Sequence, residues 1–321
     1  MKNPLHYIHK YRHRTKRLLG IDFQQFLQLL EQAELNHAKR QAEVERQKVR
    51  LNAKGGGRKP LLSVAEEVCL CLFYLRHYPT FEVLGLQFGV SKTEANDTVH
   101  YWLKILRVLL PASLLEQVES KSSDYAIVQE WLTQFQLIVD SLEQARERPG
   151  DNDEQRSYFS GKKQQHTFKS QIVTLPAGKD IVDAVAGAKG PTSDISLFRE
   201  RQSKFASKQG FDGDKAYVGA EHVQTPHKKP RGKELNPQQK AQNKEFSSTR
   251  RIFVEHVIRL ARIFRIAKER FRLHPNTYEQ IILTVCGLVR FRLGMIVFPV
   301  SIKNWIWRMP WISNRYLLEN Y

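Results

Sequence analysis

The chain has 321 residues, of which 41% are hydrophobic, and this is enough for a large domain plus a smaller one. Its net charge of +18 predicts a polyanionic partner, nucleic acid first, although membrane phosphates would attract the same charge. No run approaches the roughly 18 apolar residues of a membrane span, and the basic N-terminus lacks the apolar region of a secretory signal. Three cysteines are too few for a disulfide framework or a zinc site. We therefore expect a cytoplasmic protein.

The first 60 residues predict a basic helical region and a linker. Asp22 is placed to cap a helix whose apolar face would carry Phe23, Phe26, Leu27 and Leu30. The helix is expected to continue as a charged helix to about residue 52. The segment "AKGGGRKP" (53–60) then has the composition of a flexible basic linker.

Residues 61–118 have the pattern of a helix-turn-helix domain. One helix is predicted from Ser63 to Tyr78, where Pro79 ends it, and a second from Thr80 to Gly89. Ser91 and Glu94 form a capping-box pattern that opens a third helix. Its core-facing residues would be Ala95, Val99, Trp102 and Leu106, and the residues expected to face outward, where a recognition helix meets base edges, are Lys92, Thr93, Asn96 and His100. An ordinary helical bundle has the same periodicity, and the overall charge favours DNA binding.

From residue 134 the pattern changes to α/β. Strands are predicted in "FQLIVD", "QQHTFKSQIVTL" and "DIVDAVAG", the last two joined by the turn "PAGK". A helix capped by Thr192 or Ser193 follows, then a strand in "GFDGDKAY" and a long final helix. This order predicts a mixed sheet with flanking helices over residues 134–292.

The final helix, "RRIFVEHVIRLARIF", has Val254, Val257, Ile258 and Ala261 at helical spacing. Its acid, Glu255, would ordinarily pair with nearby arginines. Two further acids change that interpretation, because Asp140 ends the first predicted strand and Asp214 the fourth. Neighbouring strands would bring these two carboxylates together, and Glu255 would join them from the helix. Three such acids repel one another unless divalent cations neutralise them, so we expect two Mg²⁺ ions, with Mn²⁺ as the alternative, and phosphodiester chemistry.

These residues resemble the bacterial insertion-sequence transposases of the DDE class that carry an N-terminal helix-turn-helix. The matching segments are "VDSLEQARERP", "YFSGKKQQHTFKSQIV", "TSDISLF", "GDKAYVG", "HKKPRGKEL" and "RRIFVEHVIRLARIFRI". The resemblance implies a ribonuclease-H-like fold, and Asp140, Asp214 and Glu255 as its three catalytic, metal-binding acids. It also implies terminal inverted repeats and target DNA as partners, a homodimer on DNA, and a place at the bacterial nucleoid.

Related transposases surround the glutamate with the signature Tyr-x2-Arg-x3-Glu-x6-Lys. Arg251 and Glu255 match it, Arg262 replaces the lysine, and Ser248 stands where the tyrosine would be. We therefore expect Arg251 and Arg262 to bind phosphates, whereas the missing tyrosine puts terminal-base contacts in doubt. Other cations expected to hold the DNA backbone are Lys162, Lys163, Lys228, Lys229, Arg231 and Lys233.

Three more acids and bases have less definite roles. Asp212 is interpreted as a turn residue beside Asp214. Asp194 is either a helix-start acid or a group that supports the site, and His166 either packs on its strand or approaches the site. Residues 293–321 have no counterpart among the matching segments, and we expect them to be dispensable, a docking element being the rival interpretation.

Two other functions stay open at this stage. One is a catalytically silent DNA-binding protein, such as a repressor derived from a transposase. The other is a ribonuclease-H-like nuclease without strand transfer. The intact acid triad argues against the first, and the helix-turn-helix argues against the second.

Overall fold

A computed structural model describes residues 3–48, 59–119, 122–230, 232, 234–248 and 252–298. The chain forms two compact units. One contains Met1–Leu110 with Phe264–Ile266, and the other contains Pro111–Ile263 with Ala267–Tyr321. The predicted division at residue 60 therefore falls inside a compact unit, since the N-terminal helices pack on the helices that follow them.

The first unit begins with three helices, α1 (Pro4–Lys10), α2 (Thr15–Leu19) and α3 (Phe23–Gln47). Asp22 caps α3 as predicted, in a reciprocal capping box with Gln25. The predicted apolar face was partly wrong. Leu27 is 37% exposed, whereas Leu29 is fully buried. The buried stripe drifts along a helix longer than two turns, so its members are Phe23, Phe26, Leu29 and Ala33.

Helices α4 (Val64–His77), α5 (Phe81–Phe88) and α6 (Lys92–Leu109) form the predicted helix-turn-helix. Ser63, Thr80 and Ser91 cap the three helices through their hydroxyl oxygens. The four core positions predicted on α6 are all fully buried, namely Ala95, Val99, Trp102 and Leu106. The predicted cap at Ser91 and the predicted apolar period of α6 are therefore confirmed.

Gly85 lets α5 and α6 approach closely. A Cβ atom built on Gly85 would lie 2.6 Å from the carbonyl oxygen of Val90, which is part of the connecting turn. Any larger residue would push the turn away from α5, so the angle between the two helices depends on this glycine.

The second unit opens with α7 (Leu114–Glu119) and α8 (Ser122–Leu132) and continues into a six-stranded mixed sheet. Its strands are β1 (Leu137–Ala145), β2 (Phe159–Ser160), β3 (Gln165–Thr174), β4 (Ile181–Lys189), β5 (Phe211–Asp212) and β6 (Val223–Gln224). Strand β1 lies between β3, which is antiparallel to it, and β5, which is parallel. The first and fourth predicted strands correspond to β1 and β5, so their predicted pairing is confirmed. The architecture is ribonuclease-H-like.

Helices cover both faces of the sheet. They are α9 (Asn152–Tyr158), α10 (Asp194–Arg201), α11 (Pro237–Phe246), α12 (Ile252–Arg262) and α13 (Tyr278–Arg292). On one face, α7, α8 and α10 enclose an apolar core that includes Val139, Phe198 and Phe211. On the other, α12 packs on β1 and β3, and α13 packs on β4.

Two strand ends differ from the prediction. Strand β1 does not end at Asp140 but continues to Ala145, because it pairs with the long strand β3 over its whole length. Strand β5 ends at Asp212, which is 3% exposed and pairs with Ile138. Asp212 is therefore a buried strand residue, and interpreting it as a turn residue was wrong.

The C-terminal segment begins inside the second unit. Ile296 is 2% exposed, and Met295 packs against the apolar core of that unit. Residues 299–321 lie outside the described residues. We therefore move the start of the segment that is expected to be dispensable from after Arg292 to after Phe298.

We expect a protein truncated after Phe298 to fold with an unchanged thermal midpoint, whereas truncation after Arg292 should lower the midpoint. The second truncation removes the buried Ile296 side chain, and loss of a buried aliphatic side chain costs about 2–5 kcal/mol. Differential scanning calorimetry of the two truncated proteins measures both effects. A large loss in the longer protein would instead support the docking-element interpretation of the tail.

Candidate active site and DNA-binding surface

Asp140 lies on the face of β1 that α12 covers. Its neighbours Val139 and Ser141 point to the opposite face, because Val139 belongs to the apolar core there and Ser141 contacts Tyr217. Successive side chains of a strand alternate between faces, so Asp140 points toward α12.

Helix α12 buries the predicted stripe and leaves Glu255 in solvent. Val254, Val257, Ile258 and Ala261 are all at most 7% exposed, while Glu255, Arg259 and Arg262 are exposed. The spacing of 255, 259 and 262 places these three side chains on one helix face. That face and β1 enclose a cavity of about 390 Å³ lined by Asp140, Ser141, Leu142, Glu255, Ile258, Arg259 and Arg262.

Asp214 lies two residues beyond the parallel pair of Ile138 and Asp212. It caps a 3₁₀ turn, Lys215–Tyr217, and its Oδ1 accepts a hydrogen bond of 2.7 Å from the Ala216 amide. Extending the strand register by two residues puts Asp214 at the level of Asp140. Nevertheless, the described residues contain no group of three His, Cys, Asp or Glu side chains arranged to hold a metal ion. The structure thus brings Asp140 and Glu255 to one cavity, with Asp214 at the end of the adjacent strand.

A buried polar network lies on the opposite side of β1 from the cavity. The Tyr217 hydroxyl lies 2.8 Å from Ser141 Oγ and accepts a 3.0 Å hydrogen bond from Gln171 Nε2. Burial raises the pKa of Tyr217 well above its ordinary value, and the negative charges of Asp194 and Asp140 raise it further. Tyr217 therefore stays a neutral phenol that fixes the loop after Asp214 against β1.

Asp194 and His166 now have definite places. Asp194 is the first residue of α10, whose cap is Ser193, and its carboxylate lies 2.9 Å from Lys169 Nζ. It is a helix-start acid in an ion pair with β3. His166 lies on β3 opposite Arg146, which directly follows β1 and is six residues beyond Asp140, so His166 does not approach Asp140 and Glu255.

Comparison with known proteins agrees with this geometry. The family described as DDE superfamily endonuclease matches residues 139–290, and the helix-turn-helix of DDE superfamily endonuclease matches residues 59–112. A probable transposase for insertion sequence element IS702 from Microchaete diplosiphon is 30% identical over 246 residues, which are 75% of this chain and 85% of that protein. The chain belongs to the insertion-sequence DDE transposases. No solved structure gives a significant match.

Membership of this family makes residues 59–112 a DNA-binding helix-turn-helix and residues 139–290 a domain of the DDE endonuclease type. DDE endonucleases generally use divalent metal ions. Within the described residues, no helix has both the length and the apolar character needed to cross a membrane.

The DNA-facing residues predicted on α6 are accessible. Lys92 and Thr93 are exposed in its first turn, and Asn96 is half-buried, with its Nδ2 donating a hydrogen bond of 3.2 Å to Asp97. This first turn follows the tight connection from α5, where a transposase helix-turn-helix would present side chains to the major groove.

The predicted backbone-binding cations occupy two exposed loops of the transposase domain. Lys162 and Lys163 lie in the turn between β2 and β3, and Lys228 and Lys229 lie after β6. Lys229 forms an ion pair with Glu234, which is also 3.3 Å from Lys240. Arg231, Lys233 and Arg251 lie outside the described residues.

Sequence reasoning missed two features of the site. Arg259 lines the cavity beside Glu255, and its i+4 spacing from Glu255 was the signal that could have identified it. Gln171 donates hydrogen bonds to Ser141 and Tyr217 on the face of β1 opposite Asp140, and nothing in the sequence marks it, because its role depends on the register of β1 with β3.

Proposed function

We propose that this protein is a DNA transposase that binds the terminal inverted repeats of its element, nicks the DNA strand, and joins the freed 3′-hydroxyl to target DNA. The observation that carries the proposal is the shared cavity of Asp140 and Glu255, edged by Arg259 and Arg262. Carboxylates and arginines that line one open cavity suit a phosphodiester substrate better than a small neutral one.

The donor set fits divalent metal ions. Carboxylate oxygens are hard ligands of the kind that Mg²⁺ prefers, and Mn²⁺ accepts the same donors. Asp140 and Glu255, with Asp214 from the adjacent strand, would hold two ions. When bound, such ions activate a water or hydroxyl and stabilise the leaving oxygen of the phosphodiester.

The remaining groups of the site position DNA. Arg259 and Arg262 present guanidinium groups to the phosphates on either side of the bond to be cut. Tyr217 and Ser141 keep the end of β5 aligned with β1, so that Asp214 stays at the level of Asp140. Because nicking and joining are both phosphoryl transfers, one set of residues serves both steps.

A strand-transfer assay tests this proposal. The full-length protein, a labelled duplex carrying one terminal repeat, a supercoiled target and Mg²⁺ should yield nicked and joined products. Binding without cleavage would contradict the proposal in favour of a silent DNA-binding protein. Cleavage without joining would contradict it in favour of a simple nuclease. We expect the active species to be a homodimer holding two ends, which light scattering of the protein–DNA complex measures.

We expect Lys92→Ala and Asn96→Ala to weaken binding to terminal-repeat DNA by about 1–3 kcal/mol each if the side chain contacts a base edge. Affinity for unrelated DNA should change much less. Fluorescence anisotropy at a fixed salt concentration measures both affinities, and binding should weaken steeply with salt because each neutralised phosphate releases counterions.

Lys104→Ala is the matched control for these two variants. Lys104 is exposed on the same helix, twelve residues beyond Lys92. Its loss should leave the preference for repeat over unrelated DNA unchanged. If the preference is also unchanged in the Lys92 and Asn96 variants, α6 is not the recognition helix.

A further inference from the structure

A second cavity lies in the transposase domain, away from the acid pair. It has a volume of about 500 Å³ and is lined by Arg148, Gln155, Arg156, Phe159 and His166. Its position follows from the sheet register, because His166 pairs with Arg146, which directly follows β1 and is six residues beyond Asp140. At about 3.4 Å per strand residue, the cavity is roughly 20 Å from Asp140.

An exposed aromatic ring forms one wall. Phe159 is 41% exposed even though it belongs to a strand. Its ring meets the His166 ring edge-on at 5.5 Å, and the pairing of Phe159 with His166 across β2 and β3 fixes both rings. A fixed aromatic face left open to solvent is the feature on which unpaired bases stack in single-strand binding proteins.

Arginines form the other walls. Arg148 is held in place, since its Nε donates a 2.9 Å hydrogen bond to Gln155, whose own amide donates to the carbonyl of Pro149. Arg156 lies 3.8 Å from Asp153, but these side chains are 85% and 92% exposed, so solvent screens that pair. Lys162 and Lys163 are exposed in the turn that joins β2 to β3.

Three arginines lie near His166, of which Arg146 pairs with Glu154 and Arg270 pairs with Glu147. The pKa of His166 is lowered by burial and then by the charges of Arg148, Arg146 and Arg270. A cluster of cations that disfavours protonation of a histidine favours an approaching anion. Aromatic face and positive charge together match a nucleotide, which has both a base and a phosphate.

We propose that this cavity binds an unpaired nucleotide of the DNA, with its base stacked on Phe159 and its phosphates held by Arg148 and Arg156. Such a nucleotide occurs where the end of a duplex frays or where one strand extends beyond the other. The separation of about 20 Å from Asp140 equals about six base pairs of duplex at 3.4 Å each. The DNA would therefore contact the transposase domain at two places, the acid pair and the Phe159 cavity. This inference rests on the proposed function only for the identity of the ligand as DNA.

Binding without cleavage tests the inference. The full-length protein is titrated, without divalent metal, into two fluorescein-labelled duplexes, one blunt and one carrying a single-stranded extension of six thymidines. The wild type should prefer the extended duplex. Phe159→Ala should reduce this preference by about 5- to 150-fold, the usual effect of removing the aromatic side chain under one stacked base. Phe159→Trp should keep it, because tryptophan restores an aromatic face.

Two further variants separate stacking from charge and from general damage. Arg148→Ala should weaken binding to the extended duplex. It should also lower the slope of log affinity against log salt concentration by the contribution of about one phosphate contact. Ile127→Ala is the matched control, because Ile127 is 42% exposed on α8 and does not line the cavity. It should behave as the wild type.

Three outcomes would overturn the inference. They are an unchanged preference in Phe159→Ala, an equal loss of affinity for both duplexes, and a Trp variant that fails like the Ala variant. Strand-transfer activity is measured separately on blunt repeat DNA, so that failure of the proposed transposase function is distinguishable from failure of this site.

Discussion

Glu255→Gln should reduce nicking and joining together, by orders of magnitude, while terminal-repeat binding persists. Glutamine keeps the size of the side chain but removes the charge with which Glu255 would ligate a divalent cation. Because the side chain is exposed and faces the Asp140 cavity, its substitution should leave the fold intact. Removing a negative charge also lessens repulsion of DNA phosphates, so affinity should stay equal or rise. Gel analysis of cleavage and transfer products, beside anisotropy of the same protein, measures both properties.

The opposite result has a clear meaning. If Glu255 only pairs with arginines on an exposed helix face, the substitution costs a few tenths of a kcal/mol and activity persists. A folded Glu255→Gln protein with near-normal strand transfer would therefore remove Glu255 from the active site. Glu130→Gln is the control, because Glu130 is an exposed acid 2.6 Å from Lys208, on the face of the sheet opposite α12.

The other two acids of the proposed site, Asp140 and Asp214, are tested by replacing each with asparagine. Asp140→Asn and Asp214→Asn should each match Glu255→Gln, and combining them should add little, since acids that serve one metal pair act as a unit. Asp212 is buried two residues before Asp214, so Asp212→Asn should mainly affect stability. Loss of strand transfer in a stable Asp212→Asn protein, with activity kept in Asp214→Asn, would reassign the role to Asp212.

Local patterns predicted the start of α3 and the three helices of the helix-turn-helix, but α13 follows α12, which was wrongly predicted to be the final helix. Asp22 and Ser91 each cap the helix that they were expected to cap, because capping depends only on residues three positions apart. The stripe of α12 was predicted for the same reason.

Features set by strand pairing were harder to predict. The end of β1 was placed at Asp140, yet the strand continues because β3 supplies partners as far as Ala145. Asp212 looked like part of a turn, since an acid after a short apolar run often ends a strand. Its burial follows from pairing with Ile138, more than seventy positions away, and no local pattern contains that information.

Sequence also could not predict that Arg290 is fully buried. Arginine is seldom buried, and helix α13 has no charge pattern that marks this position. In the structure, Arg290 and Asp180 are both 0% exposed and lie 110 positions apart. Their meeting depends on how α13 packs against β4, which only the assembled domain defines.

The Arg290 guanidinium uses all of its donors. Its Nε and Nη2 donate to the two oxygens of Asp180, at 2.7 and 2.9 Å. Its Nη1 donates to the carbonyls of Pro111 and Ser113, at 3.1 and 2.9 Å, and Nη2 also donates to Gln117 at 3.0 Å. One side chain thus joins α13, the start of β4 and the start of α7, with every N–H group satisfied.

Asp180→Ala should therefore lower the free energy of unfolding by about 3–5 kcal/mol, because it leaves a buried guanidinium without its counter-ion. Arg290→Lys should be nearly as harmful, since an ammonium group cannot reproduce the two-pronged contact with Asp180. Urea denaturation followed by circular dichroism measures both losses.

Replacing both residues by apolar ones, as in Asp180→Leu with Arg290→Met, should cost less than the sum of the single changes, because neither charge is then left unpaired. Glu130→Gln, which breaks an exposed pair, should cost under about 1 kcal/mol. Equal, small losses for the buried and exposed pairs would show that the Arg290 network does not hold the transposase domain together.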